Sequence, residues 1–229
     1  MNKRAVTTDS GAIRTQGAES KPGLDTEALI VGSGFSGICA GIKLKEAGIP
    51  FIVLEKAADL GGTWRDNTYP GIAVDITSFT YSFSYEQLPD WSRVFAPGAE
   101  LKKYADHCAE KYGVRPHMRF NCEVETSSFD LHTHTWITTL KSGEVLKSRY
   151  LIIATGGLTI PKFPDIQGIS SFTGKKIHTA RWDHTFDLRG KRVGIIGTGA
   201  TSVQLVPALA PIVRELHVYQ RTPIWILPK

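Results

Sequence analysis

The stretch Ala28–Lys56, ALIVGSGFSGICAGIKLKEAGIPFIVLEK, opens with an apolar run over Ala28–Val31, breaks at Gly32, Gly34 and Gly37, and resumes with helical spacing up to Gly48. A second apolar run, Phe51–Leu54, follows and ends on Glu55, 18 residues beyond Gly37. Strand, glycine turn, helix and strand in this order predict a βαβ unit that binds a dinucleotide. Gly32 allows the tight turn, Gly34 lets the backbone approach a pyrophosphate, and Gly37 lets helix and strand pack closely. The helix then opens at Phe35 and Ser36 with unpaired N–H groups facing the phosphates. Glu55, followed by Lys56, stands where a carboxylate accepts hydrogen bonds from both hydroxyls of an adenosine ribose and repels a 2′-phosphate. That favours FAD or NAD over NADP.

The stretch Lys191–Thr222, KRVGIIGTGATSVQLVPALAPIVRELHVYQRT, repeats the arrangement. An apolar strand at Val193–Ile196 meets the turn Gly197, Thr198, Gly199, Ala200, Thr201 and Ser202; a helix follows, then a strand ending near Gln220. Ser202 stands in the place of the third glycine and is expected to widen the helix–strand contact slightly. At the ribose-reading position stands Arg221, 19 residues after Ser202 and followed by Thr222. A guanidinium suits a 2′-phosphate through a bidentate contact, so the second nucleotide reads as NADPH. The plain alternative for Arg221 is a solvated charge at a strand end. The expected fold class is α/β, with two Rossmann-like dinucleotide-binding domains, the first for FAD or NAD and the second for NADPH.

The 229 residues carry 27 Lys and Arg against 22 Asp and Glu. Part of that excess sits near the start, where Lys3, Arg4, Arg14 and Lys21 face Asp9 and Glu19. The remainder forms no basic stripe with interleaved aromatics, which argues against nucleic-acid binding. Residues 1–24 are rich in Ala, Gly, Ser and Thr, lack the apolar core of a signal peptide, and read as a flexible tail. No apolar run reaches the length that crosses a bilayer. Cys39, Cys108 and Cys122 are an odd number with no Cys-x-x-Cys spacing, which fits a reducing cytoplasm better than a disulfide framework or a zinc site. His132-Thr133-His134 reads as an exposed strand edge, not a metal site.

Between the two glycine turns, Leu101, Tyr104, Ala105, Cys108 and Tyr112 fall at helical spacing and predict a core stripe. Met118–Phe129, Thr135–Leu140 and Glu144–Ala154 read as strands, the last of them buried, with a hairpin at Lys141–Gly143. Ala154–Gly157, Pro161 and Pro164 mark a domain boundary. The expected division is a tail over residues 1–24, a first dinucleotide-binding portion over 25–156, and a linker with the start of the NADPH-binding portion over 157–229.

Two segments remain. In Gly61–Asp75, GGTWRDNTYPGIAVD, the two glycines permit close backbone approach, Trp64 offers a flat surface, and Tyr69-Pro70-Gly71 turns the chain toward Asp75. On residue type alone, Asp75 reads as a helix cap before Ile76-Thr77-Ser78. In Phe172–Asp183, FTGKKIHTARWD, periodicity places His178 as a polar residue of a surface strand.

Taken in order, the two glycine turns and these two segments resemble the class B flavoprotein monooxygenases, and most closely the Baeyer-Villiger monooxygenases. The family fingerprint has Phe, Gly, His and Trp at the positions of Phe172, Gly174, His178 and Trp182, followed by Pro or Asp, here Asp183. The resemblance implies an enzyme that uses FAD, NADPH and O2 to insert one oxygen atom beside a ketone carbonyl through a flavin peroxide. It places Gly62, Thr63, Trp64, Tyr69 and Asp75 beside the flavin, with Asp75 holding a catalytic arginine. It makes Phe172–Asp183 a linker that controls domain position, anchored by burial of Phe172 and Trp182. His178 then supports NADPH use and is not a proton donor. That arginine, and the segment that completes the FAD domain, match nothing up to Lys229. The resemblance therefore makes residues 25–156 an FAD-binding domain and implies the N-terminal part of such an enzyme, with its FAD and NADPH domains both incomplete in this chain, weak flavin binding and little turnover by itself. Oxidation of nitrogen or sulfur atoms by a related enzyme, and an inactive nucleotide-binding fragment, stay open; Trp182 favours the ketone reaction. Hydrolase chemistry is excluded, because there is no Gly-x-Ser-x-Gly elbow and Gly168 to Gly174-Lys175 has the wrong spacing for a P-loop.

Overall fold

The computed structural model describes residues 23–158 and 160–226; the tail expected over residues 1–24 lies outside the described residues up to residue 22. The chain divides into two compact units, Met1–Ala58 with Ala109–Ala154, and Asp59–Cys108 with Thr155–Lys229.

The first unit contains β1 (Thr26–Val31), α1 (Phe35–Glu46), β2 (Phe51–Leu54), β3 (Met118–Arg119), β4 (Val124–Asp130), β5 (Thr135–Leu140) and β6 (Val145–Ile153). Its sheet runs in the order β3-β2-β1-β6-β5-β4. β1 pairs in parallel with β2, from Ala28↔Phe51 to Val31↔Leu54, and with β6, from Thr26↔Ser148 to Val31↔Ile153. A central parallel strand must be apolar on both faces, and Ala28, Leu29 and Ile30 are fully buried. Leu29, Leu54, Leu140 and Leu146 form one core cluster of this unit.

Three sequence expectations change here. The strand expected over Met118–Phe129 is broken, because Asn121 adopts φ 56 and its N–H and that of Cys122 turn to the carbonyls of Ala57 and Glu55. A left-handed residue cannot continue a ladder, so β3 ends and β4 starts afresh. His132 and His134 lie in the β4–β5 hairpin, not on a strand edge: Asp130 accepts the N–H of His132 and the hydroxyl of Thr133, both at 2.8 Å, and His134 has φ 52. The end of β6 is open instead of buried. β5 leaves it after Trp136 pairs with Ser148, no described strand takes its place beyond, and Ile153 is 64% exposed. The hairpin at Lys141–Gly143 is present, with Gly143 at φ 87.

The second unit contains α2 (Thr63–Asp66), α3 (Gly98–Lys111), β7 (Arg192–Ile196), α4 (Ala200–Leu209) and β8 (Glu215–Tyr219). β7 and β8 pair in parallel from Arg192↔Glu215 to Ile196↔Tyr219, with α4 as the crossover. Tyr69, Ile195, Leu205 and Leu209 form a core cluster, against which Trp182 and Leu188 pack. On α3 the expected stripe is buried at Leu101, Tyr104, Ala105 and Cys108, while Tyr112 lies past the helix end and is half-buried.

The two glycine turns repeat one backbone. Gly32 and Gly197 have φ 106 and 107, and Gly34 and Gly199 have φ/ψ of −72/−172 and −70/−176. In the first turn, a Cβ on Gly37 would lie 1.9 Å from the carbonyl oxygen of Gly32, so no side chain fits. In the second, Ser202 occupies the equivalent place and its Oγ donates to the Gly197 carbonyl at 2.8 Å. The second turn is thus open enough to admit a hydroxymethyl group.

Gly37→Ala is therefore expected to destabilise the chain by about 1–3 kcal/mol, since a backbone carbonyl yields little to overpacking. Ser202→Gly, which loses one hydrogen bond, should cost about 1 kcal/mol. Urea unfolding followed by circular dichroism compares the two; equal costs would show that the first turn relaxes freely.

Candidate functional site

In the first unit the ends of β1 and β2 lie together, with the Gly32 N–H donating to the Leu54 carbonyl at 2.8 Å. This brings Glu55, only 5% exposed, against the glycine turn. Its Oε2 accepts the N–H of Ser33 at 3.0 Å and the Ser33 hydroxyl at 2.8 Å, and its Oε1 accepts the N–H of Ala57 at 3.0 Å. Burying a carboxylate is costly unless donors converge on it, and here they do. Gly32, Gly34, Phe35, Ser36, Gly37 and Glu55 are thereby gathered at the N-terminus of α1, with Lys56 exposed next to them. Gly34 is the N-cap and supplies no side-chain acceptor, so the first N–H groups and the positive end of the helix dipole face outward. A diphosphate with a ribose at the carboxylate fits this cradle. Ser33 was not singled out from sequence; its hydroxyl, lying between two glycines of the turn, was the available signal.

In the second unit the turn Gly197–Ser202 heads α4 in the same way, with Gly199 as an N-cap without side chain. The residues flanking Arg221 reach this turn: Gln220 Nε2 donates to Thr198 Oγ1 at 3.4 Å, and Thr198 Oγ1 donates to the Thr222 carbonyl at 3.5 Å. Arg221 is exposed at that lip. The residues present fit a nucleotide carrying an additional phosphate.

The Gly61–Asp75 segment docks on α4. Gln204 Oε1 accepts the Tyr69 hydroxyl at 2.8 Å and the Ala73 N–H at 3.4 Å, and its Nε2 donates to the Ala73 carbonyl at 2.8 Å. Gly71, at φ 82, is pressed on the same helix: a Cβ there would lie 2.5 Å from the Gln204 carbonyl oxygen. Burial pushes the Tyr69 phenol above its ordinary pKa; a hydrogen bond with Thr201 opposes this and the negative charge of Asp75 adds to it. Thr201 and the charge of Asp75, both selected in the sequence, thus act on the Tyr69 hydroxyl. Gln204 was missed, and its signal is a polar amide in an otherwise apolar helix face. Asp75 is exposed and caps no helix, because Ile76–Ser78 continue as bends and turns after the Ala73↔Pro97 bridge. Gly62 has φ 52 and precedes α2, where Trp64, next to Thr63, donates its Nε1–H to the Tyr81 hydroxyl at 3.2 Å. Trp64, Asn67, Thr68, Ile72 and Lys102 are among the residues lining an open groove of about 480 Å³.

Phe172–Asp183 is not a strand. His178 caps a short 3₁₀ turn over Thr179–Arg181, its Nδ1 accepting the Ala180 N–H at 3.2 Å, and its ring meets Phe163 edge-on at 5.5 Å. Trp182 packs on the core of the unit, but Phe172 is 59% exposed and does not anchor the segment. Its ring instead lies over Gly174, where a Cβ would be 2.5 Å from it. Lys175 and Asp183 tie the segment at 2.6 Å. That ion pair, first, and then the hydroxyl and N–H of Thr185 lower the Asp183 carboxyl to about 2.

Residues 29–226 match the pyridine nucleotide-disulphide oxidoreductase family. A Baeyer-Villiger monooxygenase of Streptomyces coelicolor is 46% identical over 202 residues, 87% of this chain and 38% of that protein. Another, of Pseudomonas aeruginosa, is 43% identical over 204 residues, 89% of this chain and 39% of its own length. Among solved structures, OTEMO in complex with FAD and NADP superposes with TM-score 0.81 at 39% identity, over 88% of this chain and 40% of that one. Cyclohexanone monooxygenase with bound ε-caprolactone gives TM-score 0.83 at 36% identity, over 89% and 41%. The chain spans about two fifths of the length of these relatives.

Because the folded pKa of Asp183 is depressed from 3.8 to about 2, its ion pair contributes fully above the unfolded value and is lost as pH falls from about 4 toward 2. An NMR titration of the Asp183 carboxyl should give a midpoint near 2, and Lys175→Gln should move it upward. A midpoint unchanged by that substitution would remove Lys175 as the main cause. Separately, Gln204→Leu strips the Ala73 carbonyl and N–H of their partner and should cost about 1–3 kcal/mol in thermal unfolding.

Proposed function

Because the chain belongs to the pyridine nucleotide-disulphide oxidoreductase family, we propose that its function is that of an FAD- and NADPH-dependent monooxygenase that inserts one oxygen atom of O2 beside the carbonyl of a small ketone. The observation that carries this reading is two glycine turns of one backbone geometry with opposite charges at their ribose positions. The buried carboxylate of Glu55 suits the unmodified ribose of FAD and repels a 2′-phosphate; the guanidinium of Arg221 suits the 2′-phosphate of NADPH. The named relatives, one of them bound to FAD and NADP and another to a lactone, support the same assignment.

When bound, FAD supplies the hydride acceptance and the oxygen activation. Residues 25–156 provide the flavin nucleotide's main cradle through Gly32, Gly34, Phe35, Ser36, Gly37, Glu55 and Lys56. Residues 157–229 hold NADPH through the turn Gly197–Ser202 with Arg221 and Thr222. Gly62, Thr63, Trp64, Tyr69 and Asp75 are assigned to the flavin by the resemblance alone. Tyr69, kept protonated by burial, spends its hydroxyl proton on Gln204 and so fixes the loop that carries Asp75. Asp75, exposed on its loop, is free of a cap role and orients a cation. His178 spends Nδ1 as acceptor on the Ala180 N–H, which leaves Nε2 as the ring's free position; it positions NADPH through the 3₁₀ turn and takes no proton from substrate. Cys39, Cys108 and Cys122 form no disulfide, which suits a cytoplasmic setting, and no described helix is long and apolar enough to cross a membrane.

The test is to supply the chain with FAD, NADPH, O2 and cyclohexanone and to analyse products by gas chromatography. A lactone that requires FAD, NADPH and O2 supports the reading and overturns the expectation of little turnover by the chain itself. Sulfoxide from a thioether without any lactone would transfer it to sulfur and nitrogen oxidation, and flavin binding with no NADPH-dependent reduction would leave a nucleotide-binding module. Arg221→Ala should raise the Kd for NADPH about tenfold or more and that for NADH by less than about twofold; equal losses would reject the 2′-phosphate role.

A further inference from the structure

We propose that Ser33 is a positioning residue that fixes the Glu55 carboxylate for the 2′-hydroxyl of the flavin's adenosine ribose, an inference that rests on the assignment of FAD to the first turn. Ser33 is fully buried and lies between Gly32 and Gly34, so its side chain has no outlet to solvent. Both its N–H, at 3.0 Å, and its hydroxyl, at 2.8 Å, converge on the same oxygen, Glu55 Oε2. The other oxygen is held by the Ala57 N–H at 3.0 Å.

These contacts have a consequence for recognition. The Ser33 and Ala57 N–H groups belong to the backbone and are present whatever the side chains are. The Ser33 hydroxyl is the contact that depends on residue type. It is a neutral donor to a carboxylate, a class of bond stronger than an ordinary one, at a site largely withdrawn from solvent. Without it, a carboxylate that is 5% exposed loses a donor and rotates to recover one. A ribose hydroxyl is read only by an acceptor already aimed at it, so that rotation lowers discrimination before it lowers stability. The second turn gives the contrast: Thr198 stands at the equivalent place and its hydroxyl donates to the Thr222 carbonyl instead, where Arg221 and no carboxylate occupies the ribose position.

The experiment titrates the chain with FAD by flavin fluorescence, then displaces FAD with ADP and with 2′-deoxy-ADP, for the parent, Ser33→Ala, Ser33→Cys and Glu55→Gln. The parent should favour ADP over 2′-deoxy-ADP by about tenfold, the worth of a hydrogen bond to a charged group. In Ser33→Ala that ratio should fall below about threefold and the FAD Kd should rise by about fivefold to tenfold. Ser33→Cys keeps the volume with a weak donor and should behave alike, which guards against a folding defect in the alanine variant; thermal melts check both. Adding Ser33→Ala to Glu55→Gln should change the ratio by less than about twofold, since the two act as one. A Ser33 variant that binds FAD more weakly but keeps the parent's preference for ADP overturns the inference and leaves the flavin assignment intact. A parent that does not bind FAD overturns both.

Discussion

The close approach of the Gly37 backbone to the carbonyl of Gly32 is the constraint on which the first unit depends. It sets the angle at which α1 leaves β1, and that angle brings the helix N-terminus over the end of the sheet beside Glu55. Nothing larger than a hydrogen fits at Gly37, where an added Cβ would stand 1.9 Å from the carbonyl oxygen. The turn therefore cannot be loosened without moving the helix dipole away from the place where a diphosphate would sit. Glu55 completes the same device, its carboxylate buried and held by donors that belong to the turn itself and to the chain just beyond β2.

The second unit solves the same problem with more tolerance. Its glycines at 197 and 199 adopt the same backbone angles, but Ser202 fits where Gly37 has no alternative. Its stiffness comes instead from Gln204, which clamps the Tyr69–Ala73 loop to α4 through three hydrogen bonds. The helix whose N-terminus the proposed function assigns to one nucleotide thus also holds a loop that it assigns to the other.

Much of this was legible in the chain. The βαβ order, the glycine positions, Glu55 and Arg221 follow from periodicity and spacing, which are local properties. The α3 stripe was legible for the same reason, and so was the hairpin at Lys141–Gly143. What failed was also local in cause. Asn121 in the left-handed region broke a strand that β-propensity alone would continue, Asp130 converted His132–His134 from strand to turn, and Ile76–Ser78 formed no helix for Asp75 to cap. Phe172 was expected to anchor its segment by burial, yet it covers Gly174 and faces solvent, while Trp182 does pack on the core.

Sequence by itself determined the fold class and the two nucleotide-binding turns, because glycine spacing and apolar runs act through the backbone within a few residues. The tertiary structure decided which polar groups meet. Ser33 with Glu55, Tyr69 with Gln204, and Lys175 with Asp183 are pairs separated by 22, 135 and a few residues. A hydrogen bond between side chains depends on distances of tenths of an ångström, and those are set only when strands, helices and loops have packed.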